Sequence, residues 1–181
     1  MIRAHAASRR GFSIVEAIAA IIIMSVIALM LSFVLATVVD GYTGALVRGS
    51  LHRDLSVAMD QIVREVRSIP LDTAAPGVAP KISAIQEDSM EYDSTGKLEL
   101  VAGDLVLTRP SETGAVLLSG VSSLEIEAFD ESNLPLALPL AGSQCDAVRR
   151  VSITVTCAAN GVNEMLRAKL FIRCTMEGTA P

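Results

Sequence analysis

The chain contains 181 residues with a formal net charge of −5, and 51% of its residues are hydrophobic while only 3% are aromatic. Its mean hydropathy of +0.48 is too high for an average soluble domain, so we expect a separate apolar segment beside one globular core of modest size. An acidic chain with so few aromatic residues is poorly suited to nucleic acid, and we expect no nucleic-acid partner.

The apolar segment lies near the start of the chain. Residues 17–39 exceed the roughly 20 apolar residues that a helix needs to cross a bilayer, and Glu16 is the only charged residue from Phe12 to Val39. Charged residues flank the segment, basic before it and acidic after it: Arg3, Arg9, Arg10 and Asp40. Because positive charge favours the cytoplasmic side, the sequence predicts a cytoplasmic N-terminus and an external remainder.

Two simpler interpretations of this segment are a secretory signal peptide and an ordinary membrane anchor. A secretory peptide has a shorter apolar region and is cut after it at small residues, whereas here the conspicuous small residue, Gly11, precedes the apolar run. An ordinary anchor does not explain Glu16, because a carboxylate near the start of a membrane helix costs a few kcal/mol unless it is paired. We therefore expect a partner for the Glu16 carboxylate.

The residues around Gly11 resemble a known processing signal. The sequence RRGFSIVE, with Gly11, Phe12 and Glu16 followed by an uncut apolar run, resembles the class III signal of type IV prepilins and type II secretion pseudopilins. In that family a membrane aspartyl peptidase cuts after the glycine and methylates the new N-terminus, which here would be Phe12. The resemblance also implies that Glu16 meets the terminal amine of a neighbouring subunit in a filament core. Such a pair would be stabilising because opposite charges attract strongly in a low dielectric, while either charge alone is penalised.

A second helical stretch is predicted after residue 40. Gly41, Gly44 and Gly49 predict a bend or local melting, because each glycine costs up to about 1 kcal/mol inside a helix. Helical periodicity then resumes as one apolar stripe: Leu51, Leu55, Met59, Ile62, Val66 and Ile69. The stripe is typical of a helix packed on a sheet. A coiled-coil stalk is the alternative, but the stripe does not hold an a/d repeat over three or four heptads.

The rest of the chain shows strand patterning. Short alternating or apolar runs bounded by turn residues occur at 82–86, 89–92, 97–101, 105–108, 116–118, 124–129, 148–157 and 166–176, with a turn near Asn160 and Gly161. The fold class is therefore predicted as α+β, a long N-terminal helix followed by an antiparallel β-sheet domain. The segments are a leader at 1–11, a transmembrane or filament-core helix at 12–40, its amphipathic continuation at 41–70 and a β-rich domain at 71–181.

Two features of the β region stay open to more than one interpretation. A proline-containing connection carries four leucines that could form a docking edge or tuck under the sheet: Leu134, Leu136, Leu138 and Leu140. The final strands carry a basic patch on an otherwise acidic domain: Arg149, Arg167, Lys169 and Arg173.

The cysteines pose a pairing problem, since three residues in an oxidising compartment leave one over. A final hairpin turning near Gly161 would place Cys157 opposite about Leu166, at the end of the hairpin far from Cys174. Cys145 would lie near Cys174. We therefore predict a Cys145–Cys174 disulfide with Cys157 as a buried free thiol, and three reduced cysteines as the alternative.

No catalytic constellation is visible. The two histidines are His5, in the predicted leader, and His52, so a Ser/His/Asp or Cys/His site would have only one histidine to draw on. The cysteines lack C-x-x-C spacing. Acidic pairs in loops lack an EF-hand pattern and suggest solvated charge instead of a Ca²⁺ site. We expect no enzymatic activity, no cofactor and no metal.

The order of elements, with the stretches GKLEL, VLLSGVSSLEIEAFD and VRRVSITV, resembles the J-type minor pseudopilins and W-type minor pilins. The resemblance implies a pilin-like fold and a structural subunit of a pilus or pseudopilus, near its tip, with its globular domain in the periplasm before assembly. Its implied partners are the prepilin peptidase, other minor and major pilins or pseudopilins, and an inner-membrane assembly platform with its ATPase. The alternative is a tip binding module for a surface, DNA or secreted cargo; a bitopic enzyme or sensor is a third class, which would need a site that is not visible.

Overall fold

The computed structural model describes residues 13–75 and 77–174. The chain divides into two compact units, Met1–Ala45 and Leu46–Pro181. The predicted processing residues, Gly11 and Phe12, lie outside the described residues.

One long helix, α1, spans Ile14–Ser68. Straight-chain and alanine residues favour this conformation, and Pro70 prevents its extension by disfavouring helical backbone in the preceding residue. The local melting expected around the glycines is wrong: Gly41, Gly44 and Gly49 all lie within α1. Three glycines spread over nine positions cost the helix little compared with the hydrogen bonds of its 55 residues.

All strands pair antiparallel, and they form two sheets. The six-stranded sheet has the order β5-β4-β3-β2-β1-β8, built from β1 Ile82–Ile85, β2 Ser89–Tyr92, β3 Gly96–Val101, β4 Asp104–Thr108, β5 Ala115–Ser119 and β8 Leu140–Ala141. The four-stranded sheet has the order β10-β9-β6-β7, built from β6 Val121–Phe129, β7 Pro135–Leu136, β9 Arg150–Ala159 and β10 Val162–Phe171. A 3-10 helix, Gly142–Ala147, lies between β8 and β9. The predicted α+β class is confirmed.

The chain changes sheets at Gly120. This residue has φ +77°, a conformation that glycine adopts without a steric penalty. It lies between β5, the edge of the first sheet, and β6, in the interior of the second. The sequence predicted an antiparallel β-sheet domain but not its division into two sheets, because alternation within each strand does not say which neighbour the strand joins.

The final hairpin has a tight turn. Val162 pairs with Ala159 across Asn160 and Gly161, whose φ values of 50° and 76° fit the two-residue turn that hairpins favour. Cys157 therefore lies opposite Glu164. The predicted partner, Leu166, was wrong, because moving the turn centre by one residue moves every pairing by two.

The core of the unit Leu46–Pro181 forms where the second half of α1 meets the strands. Most of the predicted stripe is buried: Leu55, Met59, Ile62, Val66 and Ile69. The strands contribute alternate residues to the same hydrophobic cluster: Met90, Leu98, Leu105, Leu124, Ile126, Val151, Ile153 and Val155 among them. This confirms that the amphipathic half of the helix packs against sheet. The four leucines of the proline-containing connection differ in exposure: Leu134 is 61% exposed, whereas Leu140 is only 7% exposed.

Candidate assembly site

The helix within the unit Met1–Ala45 presents an apolar surface on all sides. Every residue from Ser13 to Tyr42 is exposed, including Ile14 at 80% and Phe33 at 76%. Among the described residues, one helix, α1, is both long enough and apolar enough to cross a membrane. A continuous apolar surface of this kind is not stable in water and requires lipid or other helices around it.

The hydroxyl groups within this apolar stretch are satisfied by the helix itself. Ser25 donates to the Ile21 carbonyl at 2.7 Å, and Ser32 donates to the Ala28 carbonyl at 2.9 Å. Thr37 makes the equivalent bond four residues back, at 3.0 Å. Backbonding of this type removes the cost of placing a hydroxyl in an apolar environment. These polar residues therefore need no partner from outside the helix.

Glu16 differs from these hydroxyl residues. It lies in the first turn of α1 and is exposed, and no hydrogen bond or ion pair of its side chain exists within the part of the chain that the structure describes. Its position near the helix N-terminus favours a negative charge, but only by a fraction of the cost of desolvating a carboxylate. No partner for the Glu16 carboxylate is therefore found among the described residues, and the predicted pairing with another subunit stays a prediction.

Sequence reasoning missed a capping pattern that begins at Ser13. It directly precedes α1, and Glu16 follows three residues later, which is the spacing of a capping box. Neither side chain makes a capping hydrogen bond among the described residues. The S-x-x-E pattern could have been noticed in the sequence, and it supplies a second possible role for Glu16 that an experiment has to separate from charge pairing.

The amphipathic half of α1 is held to the sheets by polar contacts as well as by the core. Tyr92 donates its hydroxyl to Glu65 at 3.2 Å, and the Arg109 Nε donates to the other Glu65 oxygen at 3.0 Å. Burial raises the pKa of Tyr92, and the Glu65 carboxylate raises it further, so the phenol stays a donor. An ion pair of 3.1 Å joins Arg48 to Glu164 on β10. Residues 46–68 are thus fixed to both sheets.

The cysteines are buried within the β region. Cys145 and Cys157 are free thiols, and burial raises the pKa of both, with Asp146 contributing at Cys145. Raised pKa values make these thiols poor nucleophiles. Cys157 is buried and free, as predicted. The Cys145–Cys174 bridge is not formed in the structure, although both residues are buried, and the pairing stays a prediction.

Comparison with known proteins adds no assignment: no family model matches the chain, and no curated protein matches it. Within residues 13–75 and 77–174, no group of three or more histidine, cysteine or acidic side chains is placed to hold a metal ion. The apolar helix with its single carboxylate is therefore the feature on which a functional proposal has to be based.

Proposed function

We propose that this protein is a structural subunit of a type IV pilin-like filament, a minor pilin or pseudopilin held in the inner membrane before assembly. The observation that carries the proposal is Glu16, an ionisable group without a partner among the described residues, on a helix whose serine and threonine hydroxyl groups bond to its own backbone. A solitary membrane anchor gains nothing from such a carboxylate, whereas a helix bundle gains an ion pair if each subunit also supplies a cation.

The cation proposed for this pair is the amine of Phe12. Cleavage after Gly11 would create that amine four residues before Glu16 in the sequence. In a bundle of parallel helices that are offset along their axes, the amine of one subunit then approaches the carboxylate of a neighbour. Each subunit carries one of each charge, so the pairing repeats along a filament.

The architecture supports this proposal in a second way. The apolar half of α1 is exposed on all sides, while the other half is buried on one face against two sheets. A subunit built in this way can leave the bilayer by exchanging lipid for neighbouring helices, without any rearrangement of its β region. The prepilin peptidase, the other pilins or pseudopilins and the assembly platform with its ATPase are the partners that this process requires.

Fractionation of cells that express the native chain tests the proposal. The protein should occur both in the inner membrane and in filaments sheared from the cell surface. A Gly11→Val variant should accumulate uncut in the membrane, because the enlarged side chain impairs cleavage, and it should be missing from the sheared fraction. Retention of the native protein in the membrane under conditions in which the other subunits form filaments would contradict the proposal.

A further inference from the structure

The two sheets end in edges of very different character. Three of the four edge strands are protected by being short or irregular: β7 and β8 have two residues each, and β5 has five residues and an irregular register with β4. The fourth, β10, has ten residues and pairs with β9 without interruption. Within the described residues β10 is thus the one long, regular sheet edge.

The turn geometry identifies which backbone groups of β10 are available. In a two-residue hairpin the residues that flank the turn exchange both of their hydrogen bonds. The backbone of Val162 and of the even-numbered residues after it therefore bonds to β9. The hydrogen bond from the Ile172 amide to the Arg149 carbonyl follows the same pattern. The amides and carbonyls of the odd-numbered residues point away from β9. These residues are Asn163, Met165, Arg167, Lys169 and Phe171.

The side chains of the same residues are exposed and include two cations. Arg167 makes an ion pair with Glu127 and donates to Ser152. The Lys169 ammonium lies 3.5 Å from the centre of the Phe129 ring, and no carboxylate pairs with it in the described part of the chain. On the neighbouring strand β9, the Arg150 guanidinium lies over the Phe171 ring at 4.1 Å. The exposed face of β10 is therefore cationic on a chain of net charge −5.

We propose that β10 is a docking edge for an extended acidic segment of another protein, which adds to the four-stranded sheet as a fifth strand. Backbone hydrogen bonds to the odd-numbered residues would supply affinity, and acidic side chains at alternate positions would face Arg167 and Lys169. A second copy of this chain is a poor occupant, because antiparallel pairing of two β10 strands would bring Arg167 and Lys169 close to their own copies. The same cations can instead serve to keep strands away from the edge, and the experiment below separates the two roles.

This inference goes beyond the filament proposal, since it depends only on β10 and its neighbours. It specifies a ligand class for the alternative function, a binding module, and it would hold even if the apolar helix never entered a filament. Conversely, failure of the docking experiment would leave the role of Glu16 untouched.

The experiment uses the full chain in zwitterionic detergent micelles and a fluorescent peptide of alternating glutamate and valine, EVEVEVEV. Fluorescence anisotropy measures its affinity, and amide hydrogen exchange locates it. We expect saturable binding and slower exchange at Asn163, Met165, Arg167 and Lys169. A peptide with the same side chains but N-methyl groups on its glutamate amides cannot pair along the edge that would place glutamates opposite Arg167 and Lys169, and it should bind far more weakly.

Two charge-reversal variants complete the test. Lys169→Glu should weaken binding of the acidic peptide by roughly fivefold to tenfold, as expected when an exposed attraction becomes a repulsion. Arg53→Glu changes the net charge equally at a helix residue that makes no ion pair in the described structure, and it should leave the affinity unchanged. The proposal is overturned if the N-methylated peptide binds equally well, if protection appears on β5 instead, or if no binding saturates at millimolar peptide.

Discussion

Replacing Glu16 with glutamine separates charge pairing from every other role of this residue. Glutamine keeps the size of the side chain and can serve in a capping box as well as glutamate does, but it carries no charge. If Glu16 pairs with a neighbouring Phe12 amine, Glu16→Gln should insert into the membrane and be cleaved normally, yet enter filaments poorly. Insertion should even improve, because the change removes an ionisable group from the apolar helix.

The size of the effect follows from the environment of Glu16. Two unit charges about 4 Å apart attract by about 4 kcal/mol at an effective dielectric constant of 20, and removing one partner of a buried pair typically costs about 3–5 kcal/mol. Even the lower figure corresponds to roughly a hundredfold loss of affinity. We therefore expect the ratio of sheared to membrane-bound protein to fall by about two orders of magnitude when the variant competes with native subunits.

Quantitative immunoblotting of sheared and membrane fractions measures this ratio. Glu16→Ala should behave like Glu16→Gln, while Ser25→Ala, which removes a hydroxyl already satisfied by the Ile21 carbonyl, should match the native protein. Ser13→Ala isolates the capping role and should leave incorporation intact. Incorporation of Glu16→Gln at the native level would refute the pairing argument. A defect seen in both Glu16→Ala and Ser13→Ala but absent from Glu16→Gln would show that Glu16 acts in helix capping.

Three further predictions concern the unit Leu46–Pro181. Gly96→Ala should lower the free energy of unfolding by about 2 kcal/mol, since the added Cβ would lie 2.5 Å from the buried Tyr92 ring; Gly49→Ala, where nothing lies within 4 Å, should raise it by about 0.5–1 kcal/mol. Denaturant unfolding in micelles checks both, and a Gly96→Ala variant as stable as the native protein would show that Tyr92 can move aside. Non-reducing peptide mapping should recover a Cys145–Cys174 cross-link from periplasmic protein, and three alkylated thiols would exclude it.

The position and length of the helix were predictable because both of its sequence signals are local. A run of apolar residues and a stripe at helical spacing need only the sequence around them, and α1 indeed spans Ile14–Ser68. Gly41, Gly44 and Gly49 misled the prediction, since propensity is a weak guide within a long helix whose hydrogen bonds continue on both sides.

The arrangement of the strands was less predictable. Strand positions followed from alternation, but the transfer to a second sheet at Gly120 depends on contacts between distant residues. The polar network around Glu65 has no sequence signal either, because its partners Tyr92 and Arg109 lie 27 and 44 residues away. The hairpin register failed by two residues, because it depends on the exact centre of one turn.

The candidate site was predictable only in part. Glu16 was recognised as the single charge within an apolar run, and the structure adds that the hydroxyl groups of Ser25, Ser32 and Thr37 are satisfied while the carboxylate has no partner among the described residues. The docking edge at β10 could not be inferred from the sequence, since the odd-numbered residues become available only once the strand order and the turn are known.

The N-terminal mass of the protein recovered from sheared filaments tests the central proposal most directly. Intact-mass and peptide mass spectrometry should show a chain that begins at N-methylated Phe12, with the eleven preceding residues removed. That result is expected if cleavage supplies the amine with which Glu16 pairs. A chain that retains its leader, or one cut after the apolar run near residue 39, would contradict the assignment to a pilin-like filament.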